Sequence, residues 1–144
     1  MKRSRLMTPA VLFCLLPLAF AQSPQPKPSE ATIARGRYLV EDVGMCGDCH
    51  SPMDQRGQPI KGKHLDGATL PFRPLFSMPA WAALSTPIAG LPGWEADDAV
   101  QFLMTGKSKT GKVARPPMPQ YRFSREDAIA IVSYLKAMKS QSKE

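Results

Sequence analysis

Prolines and glycines recur every few residues from Pro52 to Pro92, and no other feature restricts the fold of this chain as strongly. A proline fixes its own φ, lacks the N–H that a helix or central strand needs, and pushes the residue before it out of helical space. This middle segment therefore reads as loop, with at most a turn or two of helix near Trp81. A loop that long without hydrogen-bonded structure of its own is uncommon, and it needs something to wrap around. The chain has 15 prolines in 144 residues, about twice the usual share. Regular elements are confined to the stretches that proline spares.

Three such stretches carry helical signals. From Ala31 to Val43, Ile33, Tyr38, Leu39 and Val40 are apolar among Arg35, Arg37, Glu41 and Asp42, and Gly44 ends the pattern. Ala96 to Thr105 runs through Val100, Phe102, Leu103 and Met104. It opens on Glu95, Asp97 and Asp98 and stops at Gly106, which suits the helix dipole at one end and a left-handed cap at the other. The last helix begins at Ser124, followed three positions later by Asp127 in a capping-box pattern. Ala128, Ile131, Leu135 and Met138 then repeat at helical spacing, with Lys136, Lys139 and Lys143 toward the end. Strand signals are weak throughout, so the expected class is all-α. One domain fits the length, and two well-cored ones do not.

The N-terminus reads as an address rather than as structure. Lys2, Arg3 and Arg5 precede an apolar stretch of 11 residues, Ala10 to Phe20, and Ala19-Phe20-Ala21 is a small-x-small cleavage site. The stretch is too short to span a bilayer comfortably, and Pro9 and Pro17 weaken it further as a helix. Lipidation at Cys14 is not expected, because Phe13 stands where a small residue should precede the modified cysteine. The expected organisation is a cleaved secretory signal peptide over 1–21, a proline-rich leader over 22–30, one domain over 31–140 and a polar tail over 141–144. Removing 21 of 144 residues leaves 123 and takes three of 19 basic residues, so the net charge falls from +7 to +4. A charge that small does not call for nucleic acid. The expected location is the periplasm, with no stable membrane span.

Two cysteines remain, in Cys46-Gly47-Asp48-Cys49-His50. C-x-x-C-H is the attachment signature of c-type haem. Two thiols three positions apart can add to the two vinyl groups along one haem edge, and the histidine after them is then held beneath the iron. A redox dithiol or half of a zinc site would also use C-x-x-C. Zinc would need two more ligands, with only His50 and His64 as histidines, and a dithiol of the thioredoxin kind would need a βαβ context. A buried haem would also give the proline-rich middle its object. Met118, in Arg115-Pro116-Pro117-Met118-Pro119-Gln120-Tyr121, is the candidate sixth ligand, because prolines stiffen the backbone on both sides of its thioether. Its rival is Met78 in Phe76-Ser77-Met78-Pro79, and His64 is a weaker one.

Arg35-Gly36-x-Tyr38-Leu39, the C-x-x-C-H, Pro-Pro-Met-Pro-x-Tyr and the final Ile131-Val132-Ser133-Tyr134-Leu135 helix together resemble a class I monohaem cytochrome c. More narrowly, they are similar to the cytochrome modules in haem subunits of bacterial periplasmic dehydrogenases. The resemblance implies about three to five helices wrapped around one haem c, covalent through Cys46 and Cys49, with His50 and Met118 as axial iron ligands. It implies a first and last helix crossing beside the haem, with Gly36 allowing the approach and Tyr134 or Leu135 opposite. The implied function is single-electron transfer between periplasmic partners, among them a dehydrogenase and a terminal oxidase. The alternatives are a haem subunit bound tightly to a dehydrogenase, or a five-coordinate haem acting on peroxide or a small gas. No residue is expected to be catalytic. The other ring nitrogen of His50 should meet a backbone carbonyl, with one near Pro59 as candidate. Trp94 and Tyr121 are each either a donor to a haem propionate or a core residue. Lys107, Lys109, Lys112 and Arg115 either steer an acidic partner or keep a loop soluble.

Overall fold

The computed structural model describes residues 27–138. The expected signal peptide, most of the leader, and the last residues including Lys139 and Lys143 lie outside the described residues. Helix α1 covers Glu30–Tyr38 and starts one residue before the expected Ala31. Ser29 caps it, its hydroxyl accepting from the Thr32 N–H at 3.1 Å. The helix does not run on regularly to Val43. Leu39–Val43 widens into a π turn, closed by the Gly44 N–H donating to the Leu39 carbonyl at 2.8 Å. Apolar spacing alone does not reveal that extra residue, because Leu39 and Val40 are buried just as a continuing α-helix would bury them. Tyr38, by contrast, is half-exposed beneath the guanidinium of Arg35.

Helix α2 is the single turn Gly47–His50, α3 spans Ala96–Thr105, and α4 spans Arg125–Ala137. Ser124 caps α4 through the Asp127 N–H at 3.1 Å. The Asp127 carboxylate turns to Arg35 on α1, accepting from Nε at 3.0 Å and from Nη2 at 3.3 Å. Half of the expected capping box thus serves as a tie between the first and last helices. One correction concerns strands. β1 (Ala68–Thr69) and β2 (Leu84–Ser85) pair antiparallel, with Ala68 opposite Ser85 and Thr69 opposite Leu84. Near Trp81 there is a turn, its N–H donating to the Met78 carbonyl at 2.9 Å, in place of the expected helix.

The core lies where α4 meets α1 on one side and α3 on the other. Ala128, Ile131 and Leu135 are buried as their spacing predicts, and so are Ala130 and Val132, which widens the apolar face. Ala130 is buried because α1 crosses there with only Gly36 between the two backbones. A Cβ built on Gly36 would overlap the Ala130 carbonyl oxygen, 2.5 Å from its carbon and 2.8 Å from Tyr134 Cβ. Of the two residues expected opposite Gly36, Tyr134 is the one found there. Leu135 points into the core, and its carbonyl accepts from Gly90.

Tyr134 adds a pH dependence. Its hydroxyl donates to Glu41 Oε1 at 2.8 Å. Burial first, and then that hydrogen bond, push its pKa from the ordinary 10 up to about 12. The folded protein holds the phenol proton more tightly than the unfolded chain does. Stability is therefore full below about pH 10 and falls as pH rises toward about 12. Tyr134→Phe should flatten that alkaline slope in urea unfolding while leaving the neutral-pH slope unchanged.

Candidate functional site

The site is built around α2. The π turn delivers the chain to it: the Cys46 N–H donates to the Val40 carbonyl at 3.0 Å, and Met45 takes a left-handed φ of 44° to make the corner. Gly44 is needed here for space, since a Cβ on it would meet the Leu39 carbonyl oxygen at 2.9 Å and Cys46 Sγ at 3.3 Å. One helical turn then sets Cys46 and Cys49 on neighbouring positions of one face. Both carry free thiols and are partly buried. Burial, followed by the charge of Glu41, pushes the Cys46 thiol up to about 11. Burial and then Asp48 raise Cys49 as well. Both sulfurs are thus held as neutral thiols near neutral pH.

His50 shows how the middle loop serves the site. Its Nδ1 lies 2.7 Å from the Thr86 carbonyl oxygen, which can only accept. The proton therefore sits on Nδ1, and Nε2 keeps its lone pair. Burial lowers the His50 pKa, and the bond to Thr86 opposes that only in part, so the ring is neutral near neutral pH. This corrects the expected partner near Pro59. Pro59 bridges Met53 inside a local turn, where Ile60 N donates to the Pro52 carbonyl. The small sheet fixes the rest of α2. The Gly67 N–H donates to the His50 carbonyl at 2.7 Å, and Ser85 Oγ donates to the Cys49 carbonyl at 2.5 Å. Sequence reading missed Ser85 and Thr86. The one available signal was Thr86-Pro87, because a residue before proline is held extended.

Met118 sits in a clamped loop. Its N–H donates to the Arg115 carbonyl at 3.0 Å. Tyr121, three residues on, donates its hydroxyl to the Gly44 carbonyl at 3.0 Å, two residues before Cys46. That bond is where the Tyr121 hydroxyl goes, in place of the propionate contact considered above. Burial, and then the two cysteines, raise its pKa. On the other side Arg115 reaches over the β1–β2 connection, Nε to the Ala80 carbonyl at 3.1 Å and Nη2 to the Trp81 carbonyl at 2.9 Å. Ala82 N donates to the Pro116 carbonyl at 2.7 Å. These bonds bring the loops of Met118 and Met78 against each other. Met118 is partly buried, whereas Met78 is 43% exposed.

The remaining candidates separate. Both ring nitrogens of His64 are engaged, Nε2 with Glu41 at 2.9 Å and Nδ1 with Ser51 Oγ at 3.3 Å. Trp94 packs on Phe102 with ring centroids 5.2 Å apart, and the Lys112 ammonium lies 4.7 Å over its ring. With Lys112 on Trp94 and Arg115 on the β1–β2 connection, two cations of the basic run are held within the chain. The residue that sequence reading passed over is Trp81, whose Nε1 is buried without a hydrogen-bond partner. A buried donor left unpaired is costly. Two neutral thiols, an oriented imidazole, a thioether loop and an orphaned indole N–H form a donor set that fits a c-type haem with its carboxylate side chains. Among the described residues, no group of three or more His, Cys, Asp or Glu could hold a metal ion on its own. Nor is any helix there long and apolar enough to cross a membrane.

Comparison with known proteins agrees. The family model for cytochrome c matches residues 33–139. The fructose dehydrogenase cytochrome subunit of Gluconobacter japonicus is 30% identical over 116 residues, covering 75% of this chain and 22% of its own length. The cytochrome c subunit of the quinone alcohol dehydrogenase of Gluconacetobacter polyoxogenes is 33% identical over 139 residues, covering 89% and 28%. The gluconate 2-dehydrogenase cytochrome c subunit of Pantoea cypripedii is 32% identical over 134 residues, covering 83% and 28%. The chain thus spans about a quarter of the length of these curated relatives. With its first and last helices crossed at Gly36 beside the C-x-x-C-H turn, the chain belongs to the cytochrome c family of electron-transfer proteins and has the all-α class I fold.

Proposed function

We propose that this chain is an exported electron carrier holding one haem c through Cys46 and Cys49, with His50 and Met118 as axial ligands, and that it takes electrons from a dehydrogenase. The observation that carries this reading is the 2.7 Å bond from His50 Nδ1 to the Thr86 carbonyl, which leaves Nε2 available as a ligand beside two free thiols. Bound haem supplies a one-electron iron couple. The chain's own part is to anchor the group through Cys46 and Cys49, orient the His50 imidazole and hold a thioether in a clamped loop. The doubly clamped Met118 loop favours a closed, six-coordinate iron over an open site for peroxide or a gas. The dehydrogenase donor is suggested by the names of the relatives. Those names also favour a second reading, in which the chain is a resident subunit of such an enzyme. A terminal oxidase or another carrier would be the acceptor. The location is the periplasm, reached through the signal peptide over 1–21.

The test is to produce the full chain in a bacterium with a cytochrome c maturation system, then analyse the protein released by osmotic shock. The expected product starts at Gln22, keeps one haem after denaturation, and titrates as a single one-electron couple. A product without covalent haem, or one retained in the cytoplasm, contradicts the proposal.

A further inference from the structure

The connection between β1 and β2 runs from Leu70 to Ala83, and its base is fixed. Arg115 holds the carbonyls of Ala80 and Trp81, Ala82 N bonds the Pro116 carbonyl, and Phe72 meets Trp81 edge-on with centroids 5.8 Å apart. The tip is different. Leu75 is 95% exposed and Phe76 83% exposed, midway along the connection and as far from its base as the chain allows. Single exposed apolar residues are ordinary on a protein surface. Here two adjacent large ones stand almost fully in water on a segment stiffened by Pro71, Pro74 and Pro79, and Leu84 beside the base is 67% exposed. A rigid tip loses little conformational freedom on binding, which is how a small contact gains affinity.

We infer that Leu75 and Phe76 are the apolar anchor by which this cytochrome docks on its redox partner, a protein presenting an apolar recess rimmed by acidic residues. The inference rests on the carrier reading above and adds the surface and the chemistry of the partner. Charge selects that partner. Arg73 is the only charged residue from Gly67 to Trp94, and the exposed Lys107 and Lys109 precede the neighbouring Met118 loop, whereas Lys112 and Arg115 are held within the chain. A second copy of the chain would bring Arg73 toward Arg73 in a protein whose net charge is still +4 without residues 1–21, so self-association at the tip is opposed. A bilayer is also a poor occupant. Two side chains bury less apolar area than one myristoyl chain, which alone binds a membrane only marginally. The position suits electron transfer, because the base of the connection that carries the tip is bonded to the Met118 loop. Electron-transfer encounters use small interfaces, and one aromatic anchor near the centre of such a patch carries much of its energy. In each encounter the partner is oxidised by one electron as this chain is reduced by one.

The test places a photo-crosslinking phenylalanine analogue at position 76 of the full haem-loaded chain in its own bacterium, with position 129 on α4 as the exposed control. Irradiation should join position 76, and not 129, to an exported oxidoreductase through a peptide rich in Asp and Glu. With that purified enzyme as electron donor, Leu75→Ser with Phe76→Ser should lower the second-order rate of reduction at least tenfold. Reduction by ascorbate, the absorption spectrum and the midpoint potential should not change. Crosslinks to a second copy or to lipid, an unchanged rate, or a loss of haem signal in the variant would each overturn the docking inference. If the wild-type protein is reduced by ascorbate and by the enzyme yet the variant is too, the carrier reading stands and only the docking surface falls. If the wild-type protein carries no haem, both fall.

Discussion

Gly36→Ala should be among the most destabilising single changes in this protein, lowering stability by about 3 kcal/mol or more. Two effects oppose each other at this position. In an exposed helix, alanine in place of glycine gains about 1 kcal/mol through backbone entropy. At Gly36 the added methyl would overlap the Ala130 carbonyl and crowd Tyr134 Cβ at 2.8 Å. Both obstacles are fixed parts of α4, so neither yields by turning a side chain. The helices must separate, which opens the interface held by Ala128, Ile131 and the Arg35–Asp127 pair. The clash therefore outweighs the propensity gain. Thermal unfolding followed by circular dichroism should show a midpoint lower by roughly 10 °C or more. Arg37→Ala, one residue away on the exposed side of α1, serves as the control and should shift it little.

Met118→Ala should lower the reduction potential by a few hundred millivolts, a sizeable part of the roughly 0.8 V over which axial ligands tune haem proteins. Thioether ligation favours the reduced iron, and water or a vacant position does so less. The same variant should bind carbon monoxide when reduced, whereas the parent should bind it slowly or not at all. The fold should survive, because the loop's anchors lie on other residues: Arg115 on Ala80 and Trp81, Pro116 on Ala82, and Tyr121 on Gly44. An unchanged potential would remove Met118 from the ligand position.

The helices were legible in the sequence because their signals are local. α3 matches the expected Ala96 to Thr105 at both ends, and α4 starts at its capping serine. Gly36 is expected at the crossing of the first and last helices through the resemblance to class I cytochromes c, and the crossing is found there. The C-x-x-C-H turn and the proline-stiffened methionine loop are likewise local patterns. What stayed hidden depends on how distant segments meet. Strands of two residues are too short for alternation to register, and Ser85 on β2 ties this sheet to α2, its hydroxyl accepting from the Ala68 N–H on β1 and donating to the Cys49 carbonyl. Choosing Thr86 over the region of Pro59 as partner of His50 requires the path of a loop 36 residues further along the chain. The network of Tyr134, Glu41, His64 and Ser51 joins four separate segments, and the π turn that presents Glu41 leaves no periodic trace. The segment around Trp81 reads as loop with at most a turn or two of helix, and the buried, unpaired Nε1 of Trp81 emerges only from the packing around it.

The most direct measurement is the absorption spectrum of the haem-loaded protein, oxidised and reduced, for the parent, Met118→Ala and Met78→Ala. The account predicts a low-spin spectrum in the parent, with the weak long-wavelength charge-transfer band of iron–methionine ligation. That band should be lost in Met118→Ala and kept in Met78→Ala. Loss in Met78→Ala instead, or a high-spin parent that binds carbon monoxide readily, would contradict the closed His50–Met118 carrier.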